Sequence, residues 1–290
     1  RWLVATPVIG NIDDDNELEV IVGGYQSPTS TSPIYAINHD GSEVEGFPYI
    51  VGEKMKSGAA LADMDGNGID DIIFGTDSDN LYVLLDNLTI APGFPVDLGH
   101  NIRSEPAILD IVSEKIILSG CEDNSLYAIN YSDASIRFEI PTGDDVYTSS
   151  SFLEGSDGVE IYFGSDDGSI YGLDINGNSL AGFPKNISSG ALVGSVVFSD
   201  LDDDGDADMI VSDNMGNIYA EDLDGEILQG FPINYQYPFS SSSEIIDYDL
   251  DGDLEIVSGS SGDLVIIDVK YTNGNSTDYW SKYKGNYKRS

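Results

Sequence analysis

Short apolar runs closed by a small residue recur along the chain: Val20-Ile21-Val22-Gly23, Ile72-Ile73-Phe74-Gly75, Ile116-Ile117-Leu118, Ile161-Tyr162-Phe163-Gly164, Met209-Ile210-Val211 and Ile256-Val257-Ser258-Gly259. Runs this short, rich in β-branched and aromatic residues, predict buried strands and not helices. About seven residues later, five units carry a second strand that opens on an aliphatic-tyrosine pair. The pairs are Ile34-Tyr35, Leu81-Tyr82, Leu126-Tyr127, Ile170-Tyr171 and Ile218-Tyr219, and the sixth unit has Leu264-Val265. Gly-Phe-Pro follows at Phe47, Phe94, Phe183 and Phe231, with Phe138 and Trp280 expected in the same slot elsewhere. A small-residue strand then leads into the next unit, as in Ser104 to Leu109.

Six units start near residues 11, 63, 110, 154, 200 and 247, a spacing of 44 to 52 residues. Such a period indicates a propeller or a solenoid. Four strands per unit without helical periodicity favour propeller blades. The expected fold is therefore all-β: a six-bladed β-propeller of four-stranded antiparallel blades, forming a single domain over residues 1–290. The N-terminal segment Leu3–Ile9 is expected to supply the missing strand of the last blade, which removes exposed sheet edges.

Polar positions are as regular as apolar ones. Ahead of four of the buried runs lies a nine-residue acidic loop with oxygen-bearing side chains at positions 1, 3, 5 and 9. The loops are Asn11, Asp13, Asp15, Glu17 and Glu19; Asp63, Asp65, Asn67, Ile69 and Asp71; Asp200, Asp202, Asp204, Asp206 and Asp208; and Asp247, Asp249, Asp251, Asp253 and Glu255. Alternate inward-facing oxygens, with the position-7 carbonyl closing the ring, are how a loop wraps a hard cation. Gly68, Gly205 and Gly252 at position 6 suit a left-handed turn, and Asn16 is the best substitute for it in the first loop. The spacing matches half an EF-hand, but an EF-hand needs an acid at position 12 and a helix beyond. Position 12 here is Val22, Phe74, Val211 and Ser258, inside predicted strands.

The donor set points to Ca2+, three to four ions, because every ligand is oxygen and several are carboxylates. Zinc or copper would draw on His or Cys, and His39, His100 and Cys121 all lie outside the loops. Units three and four have shorter loops, and Lys115 stands where a final carboxylate belongs, so no metal is expected there. A net charge of -40 with only 12 Lys and Arg argues against nucleic-acid partners, which need clustered basic residues, and against attraction to anionic membranes. No apolar stretch reaches membrane-spanning length. The lone Cys121 excludes an intrachain disulfide and reads as a small buried residue. No nucleophile elbow, phosphate loop or zinc-protease motif occurs, so the chain is expected not to be an enzyme.

The Asp-x-Asp-x-Asp-Gly-x-x-Asp loop leading into an apolar strand and Gly, once per unit, resembles the FG-GAP repeat of integrin alpha-subunit propellers and their bacterial VCBS-type relatives. The Gly-Phe-Pro element and the closing segment Trp280–Arg289 are more similar to bacterial surface proteins. The resemblance covers essentially the whole chain. It implies calcium in the loops and a secreted or cell-surface module for adhesion, carbohydrate binding or display, acting as a monomer or as part of a multidomain chain. The ligand, protein or glycan, is not named by the residues. A carbohydrate-binding lectin propeller is the alternative, followed by a polysaccharide lyase. The insertion Tyr25–Pro33 reads as a surface loop, with a sugar contact as its second reading. The basic C-terminal cluster of Lys270, Lys282, Lys284, Lys288 and Arg289 reads as charge balance.

Overall fold

The computed structural model describes residues 2–3, 5–25, 31–111, 114–155, 158–269 and 279. Every regular element among them is a β-strand, arranged in six antiparallel sheets. The chain divides into two compact units, one reaching Val146 and the other starting at Tyr147.

In the first unit, sheet one holds Trp2–Leu3, Val8–Gly10, Glu19–Tyr25, Ser32–Ile37 and Tyr49–Val51. Sheet two is Ala60–Ala62, Asp71–Gly75, Asn80–Leu84 and Val96–Asp97, and sheet three is Ala107–Ile111, Glu114–Cys121, Ser125–Asn130 and Ile136–Pro141. In the second unit, sheet four holds Ser151–Gly155, Gly158–Gly164, Ser169–Asp174 and Lys185–Asn186. Sheet five holds Leu192–Ser199, Asp208–Asp213, Asn217–Asp222 and Ile233–Asn234. The described part of sheet six is Glu244–Ile246, Leu254–Gly259 and Leu264–Val269.

The expected four strands per unit are present in sheets two to five, but the frame differs by one strand. The small-residue strand before each loop pairs with the strand after it, as in Ala60↔Ile73 and Val197↔Ile210, so each loop is the turn of a hairpin within one sheet. A short connection favours this pairing over a longer reach to another sheet. The N-terminal strand is corrected for the same reason. Val8–Gly10 pairs with Glu19–Ile21 and Trp2–Leu3 pairs with Gly24–Tyr25, so these residues belong to the first sheet and not to the last.

Each unit has cores between neighbouring sheets. Ile21, Ile34, Leu61, Ile72 and Phe74 form one in the first unit, and Val197, Ile210, Ile218, Ile245 and Ile256 form one in the second. Strands covered on both faces are wholly buried, as Asp71–Gly75 and Asp208–Asp213 are. That is why their sequences read as continuous apolar runs without alternation. Phe138, placed by sequence in the Gly-Phe-Pro slot, is instead a residue of the strand Ile136–Pro141, opposite Ala128. Trp280, residues 26–30 of the insertion and the C-terminal basic cluster lie outside the described residues.

Candidate metal centres

Each acidic loop is anchored by one hydrogen bond that the hydrophobic pattern makes possible. The position-2 amide donates to the position-9 carboxylate: Ile12 N to Glu19 Oε2 at 3.0 Å, Met64 N to Asp71 Oδ2 at 2.9 Å, Leu201 N to Asp208 Oδ2 at 2.6 Å and Tyr248 N to Glu255 Oε2 at 2.5 Å. In the first three, the position-2 side chain is buried and pins the start of the loop, whereas Tyr248 is exposed. Position 9 is the first residue of the following strand in three loops and the second, after Leu254, in the last, so Glu19, Asp71, Asp208 and Glu255 are themselves buried. The loop backbone then curls over short side-chain bonds. Asp15 N donates to Asp13 Oδ1 at 3.0 Å, Gly68 N to Asp63 Oδ2 at 2.9 Å and Gly205 N to Asp200 Oδ2 at 3.2 Å.

Gly68, Gly205 and Gly252 adopt the expected left-handed φ of 95°, 94° and 100°. Asn16 does not: it is not among the residues of positive φ, and the first loop makes its turn differently. A second left-handed position, at loop position 4, was not anticipated from sequence. Gly66 (φ 83°), Asp203 (φ 64°) and Leu250 (φ 62°) occupy it. Gly66 and, more weakly, Asp203 carry a compositional signal for that conformation, whereas Leu250 carries none.

Four carboxylate groups have oxygens mutually within 4.8 Å: Asp13, Asp15 and Glu19; Asp63, Asp65 and Asp71; Asp200, Asp202 and Asp208; and Asp249, Asp251, Asp253 and Glu255. Glu17, Asp204, Asp206 and Asp247 fall outside these groups. Asn11, Asn67 and Ile69 bring no carboxylate, and the Asn11 amide instead donates to Asp15 O at 2.9 Å. In units three and four the loop is replaced by tight hairpins closed at Ile111↔Glu114 and Gly155↔Gly158. Their intervening residues 112–113 and 156–157, Asp157 included, lie outside the described ones.

These groups fit a hard cation on the evidence of their own unmet bonding. Glu19 Oε1, Asp202 Oδ1, Asp208 Oδ1, Asp247 Oδ1 and Glu255 Oε1 are enclosed and have no hydrogen-bond partner. An enclosed polar oxygen without a partner costs on the order of 1–3 kcal/mol, and more when charged. Like charges packed together raise the cost further. Asp208 is pushed up to about 8 by burial first, then by Asp222 and Asp202, against the bond from Leu201. Asp71 is pushed up to about 6, again by burial first. Glu19 and Asp202 rise for the same leading reason, with Asp13 and Asp15 adding to the first and Asp204 and Asp222 to the second. A divalent cation would meet the orphaned oxygens and neutralise the repulsion at once, and the all-oxygen donor set suits calcium.

Cys121 is buried, its thiol pushed up to about 12 by burial, and its Sγ donates to His100 O at 3.3 Å. That is a structural cysteine.

The fold and loops together define an all-β repeat chain with acidic hairpin loops. No protein-family model and no curated protein sequence matches it. Solved structures do. The biofilm matrix protein Bap1 of V. cholerae is similar at a TM-score of 0.65 and 19% identity, over 84% of this chain and 42% of that one. The chain thus spans less than half the length of Bap1. The computationally designed Ika8 protein matches at a TM-score of 0.58 and 14% identity, over 92% of this chain and 71% of that one. BamB from Moraxella catarrhalis matches at a TM-score of 0.52 and 15% identity, over 92% of this chain and 82% of that one. At these identities the likeness concerns the fold alone.

Proposed function

We propose that this chain is a calcium-stabilised β-propeller of the FG-GAP/VCBS kind, its six sheets being the blades of one domain. It serves outside the cell, without enzymatic activity, as a binding, adhesion or display module. One observation carries the reading: four equivalent hairpin loops each bring carboxylate oxygens together, and three of them leave enclosed oxygens unmet. Loops that exist to hold a cation explain a cost that the fold otherwise bears in three of the four.

The calcium has a structural role in this account. Each loop joins two paired strands, so a bound ion ties one strand to the next. Extracellular modules bind calcium at about 0.1–1 mM. At roughly twentyfold excess over that constant, each site adds about 1.8 kcal/mol. The extracellular assignment is supported by the likeness in fold to a biofilm matrix protein. It is supported also by a net charge of -40, which suits a soluble surface exposed to millimolar calcium.

Thermal unfolding tests the role. Chelation is expected to lower the melting temperature markedly and added calcium to restore it, while magnesium at the same concentration restores much less. Identical melting curves with and without chelator would rule the structural role out.

A further inference from the structure

The position facing the last loop ligand across the sheet varies between sheets in a way that tracks the loops. In sheet five Asp208, the ninth loop residue, is the register partner of Asp222, the last residue of the next strand. Side chains directly opposite on an antiparallel pair lie about 4.5–5.5 Å apart at Cβ, and like charges there are destabilising. Asp222 sets its carboxylate against that of Asp208, close enough to raise the Asp208 carboxyl. Its main chain is committed to the following turn, with Asp222 N donating to Glu226 O at 2.9 Å and Gly225 N donating to Asp222 O at 2.9 Å. Lys185 Nζ reaches the same carbonyl at 3.3 Å. Yet Asp222 Oδ1 is enclosed and without a partner, as are Asp208 Oδ1 and Asp202 Oδ1. Asp208 itself is 0% exposed.

The same strand-end position in the other sheets provides the control. In sheets three and four, where tight hairpins replace the acidic loop, its oxygens are used locally. Asn130 Oδ1 accepts from Arg137 at 3.2 Å. Asp174 accepts from Asn176 N at 2.8 Å, Asn178 N at 2.9 Å and Asn178 Nδ2 at 2.8 Å. In sheet one, which has an acidic loop, the residue is Asn38. Its Nδ2 donates to Ser42 Oγ at 2.9 Å, but its Oδ1 is enclosed without a partner. In sheet two the position holds Leu85, which has no oxygen to give, and there the second Asp71 oxygen accepts from Asp86 N at 3.0 Å. In sheet six Glu255 faces Asp268, which is exposed and brings no enclosed unmet oxygen although Glu255 Oε1 is one. The enclosed, unmet strand-end oxygen therefore belongs to sheets one and five, where the last loop ligand is also unmet.

We propose that Asp222 is a further calcium ligand from outside the loop, completing the 200–208 site with an extra carboxylate, and that Asn38 supplies a neutral oxygen to the 11–19 site in the same way. Calcium takes six to eight oxygens at about 2.3–2.6 Å, so donors on opposite sides of the ion stand about 5 Å apart. A nine-residue loop truncated by its entry into a strand reaches one side of the ion, and the neighbouring strand offers the other. Since affinity rises with the number of charged ligands, Asp222 raises the 200–208 site from three grouped carboxylates to four, while the 63–71 site, facing Leu85, stays at three and is weaker.

This inference rests on calcium binding by the loops, and the experiment separates the two. Calcium is titrated calorimetrically into metal-free wild type, Asp222→Ala, Asp222→Asn and the control Asp174→Asn, with circular dichroism confirming the fold. Asp222→Ala is expected to weaken one site on the order of tenfold or more while leaving the number and strength of the others unchanged. Asp222→Asn, which keeps size and one oxygen, falls between, and it carries the test if the alanine variant does not fold. Asp174→Asn matches wild type. Without calcium, Asp222→Asn melts no lower than wild type, because a repulsion has been removed. Wild type that binds three or four ions while both Asp222 variants titrate identically to it overturns the Asp222 assignment alone. Wild type that binds none overturns the loop reading beneath it.

Discussion

The ammonium of Lys115 donates to the main-chain carbonyl of Asp63, the first residue of the second acidic loop. Lys115 belongs to the third sheet, one residue before Ile116, which takes the register place of the ninth loop residue opposite Asn130, and it also lies 3.8 Å from Asp110. The third sheet, which has a tight hairpin in place of an acidic loop, thus directs an ammonium at the start of the second acidic loop. Replacing it by methionine keeps the apolar stem and removes the charge. Lys115→Met is expected to cost about 1.5 kcal/mol, the lower end for hydrogen bonds to charged groups, in urea unfolding with excess chelator. An unchanged midpoint would show the bond to be dispensable.

Leu250 holds a left-handed φ of 62° while its side chain is 84% exposed. The conformation costs a non-glycine residue about 1–2 kcal/mol, and almost no burial offsets it. Gly66 occupies the same position of the second loop at φ 83°. Leu250→Gly is therefore expected to stabilise the protein by about 0.5–1 kcal/mol, less than the full strain because glycine also loosens the unfolded chain. Destabilisation in the same assay would mean the leucine has a contact that outweighs its backbone.

The buried loop carboxylates set a pH dependence whose sign reverses with metal. In the calcium-free protein Asp71 and Asp208 stand at about 6 and about 8 against an ordinary value of 3.8. A raised carboxylate means the folded state binds more protons than the unfolded one. Its stabilising contribution is complete below 3.8 and is lost as pH rises through 6 and then 8. The melting temperature in chelator should accordingly fall between pH 5 and pH 8.5. With saturating calcium it should not, because ligands must be deprotonated to bind and protons compete with the ion. A chelated protein that gains stability across that interval would contradict the burial of these two groups.

Ligand charge orders the loop mutants. Asp202 is a charged member of a group whose enclosed oxygen is unmet, whereas Asn11 is neutral and its amide is engaged with Asp15 O. Asp202→Ala should lower the calcium-loaded melting temperature more than Asn11→Ala. The reverse order would shift the weight of the account away from the fullest loop.

The sequence made the strands and loops legible because both obey short-range rules. Buried strands write themselves as apolar runs such as Ile72-Ile73-Phe74, and a cation loop writes itself as alternating acids. What it did not reveal is which strands pair. The strand Val8–Gly10 has the same composition whether it closes a last blade or opens the first sheet, and only the register with Glu19–Ile21 decides between them. Asp222 was missed for a related reason, since it lies fourteen residues beyond Asp208 and approaches it only through strand pairing. A signal was present: Asn38, Asn130, Asp174, Asp222 and Asp268 all stand four residues after the aliphatic that opens their strand motif. The left-handed turn at Leu250 carried no signal, because leucine is among the residues least suited to it.

Counting the metal tests the account most directly. Protein equilibrated with calcium, washed free of unbound ion and examined by elemental analysis should carry three to four calcium ions per chain and no stoichiometric zinc. Two or fewer, or a stoichiometric transition metal in their place, would contradict the assignment of the four acidic loops.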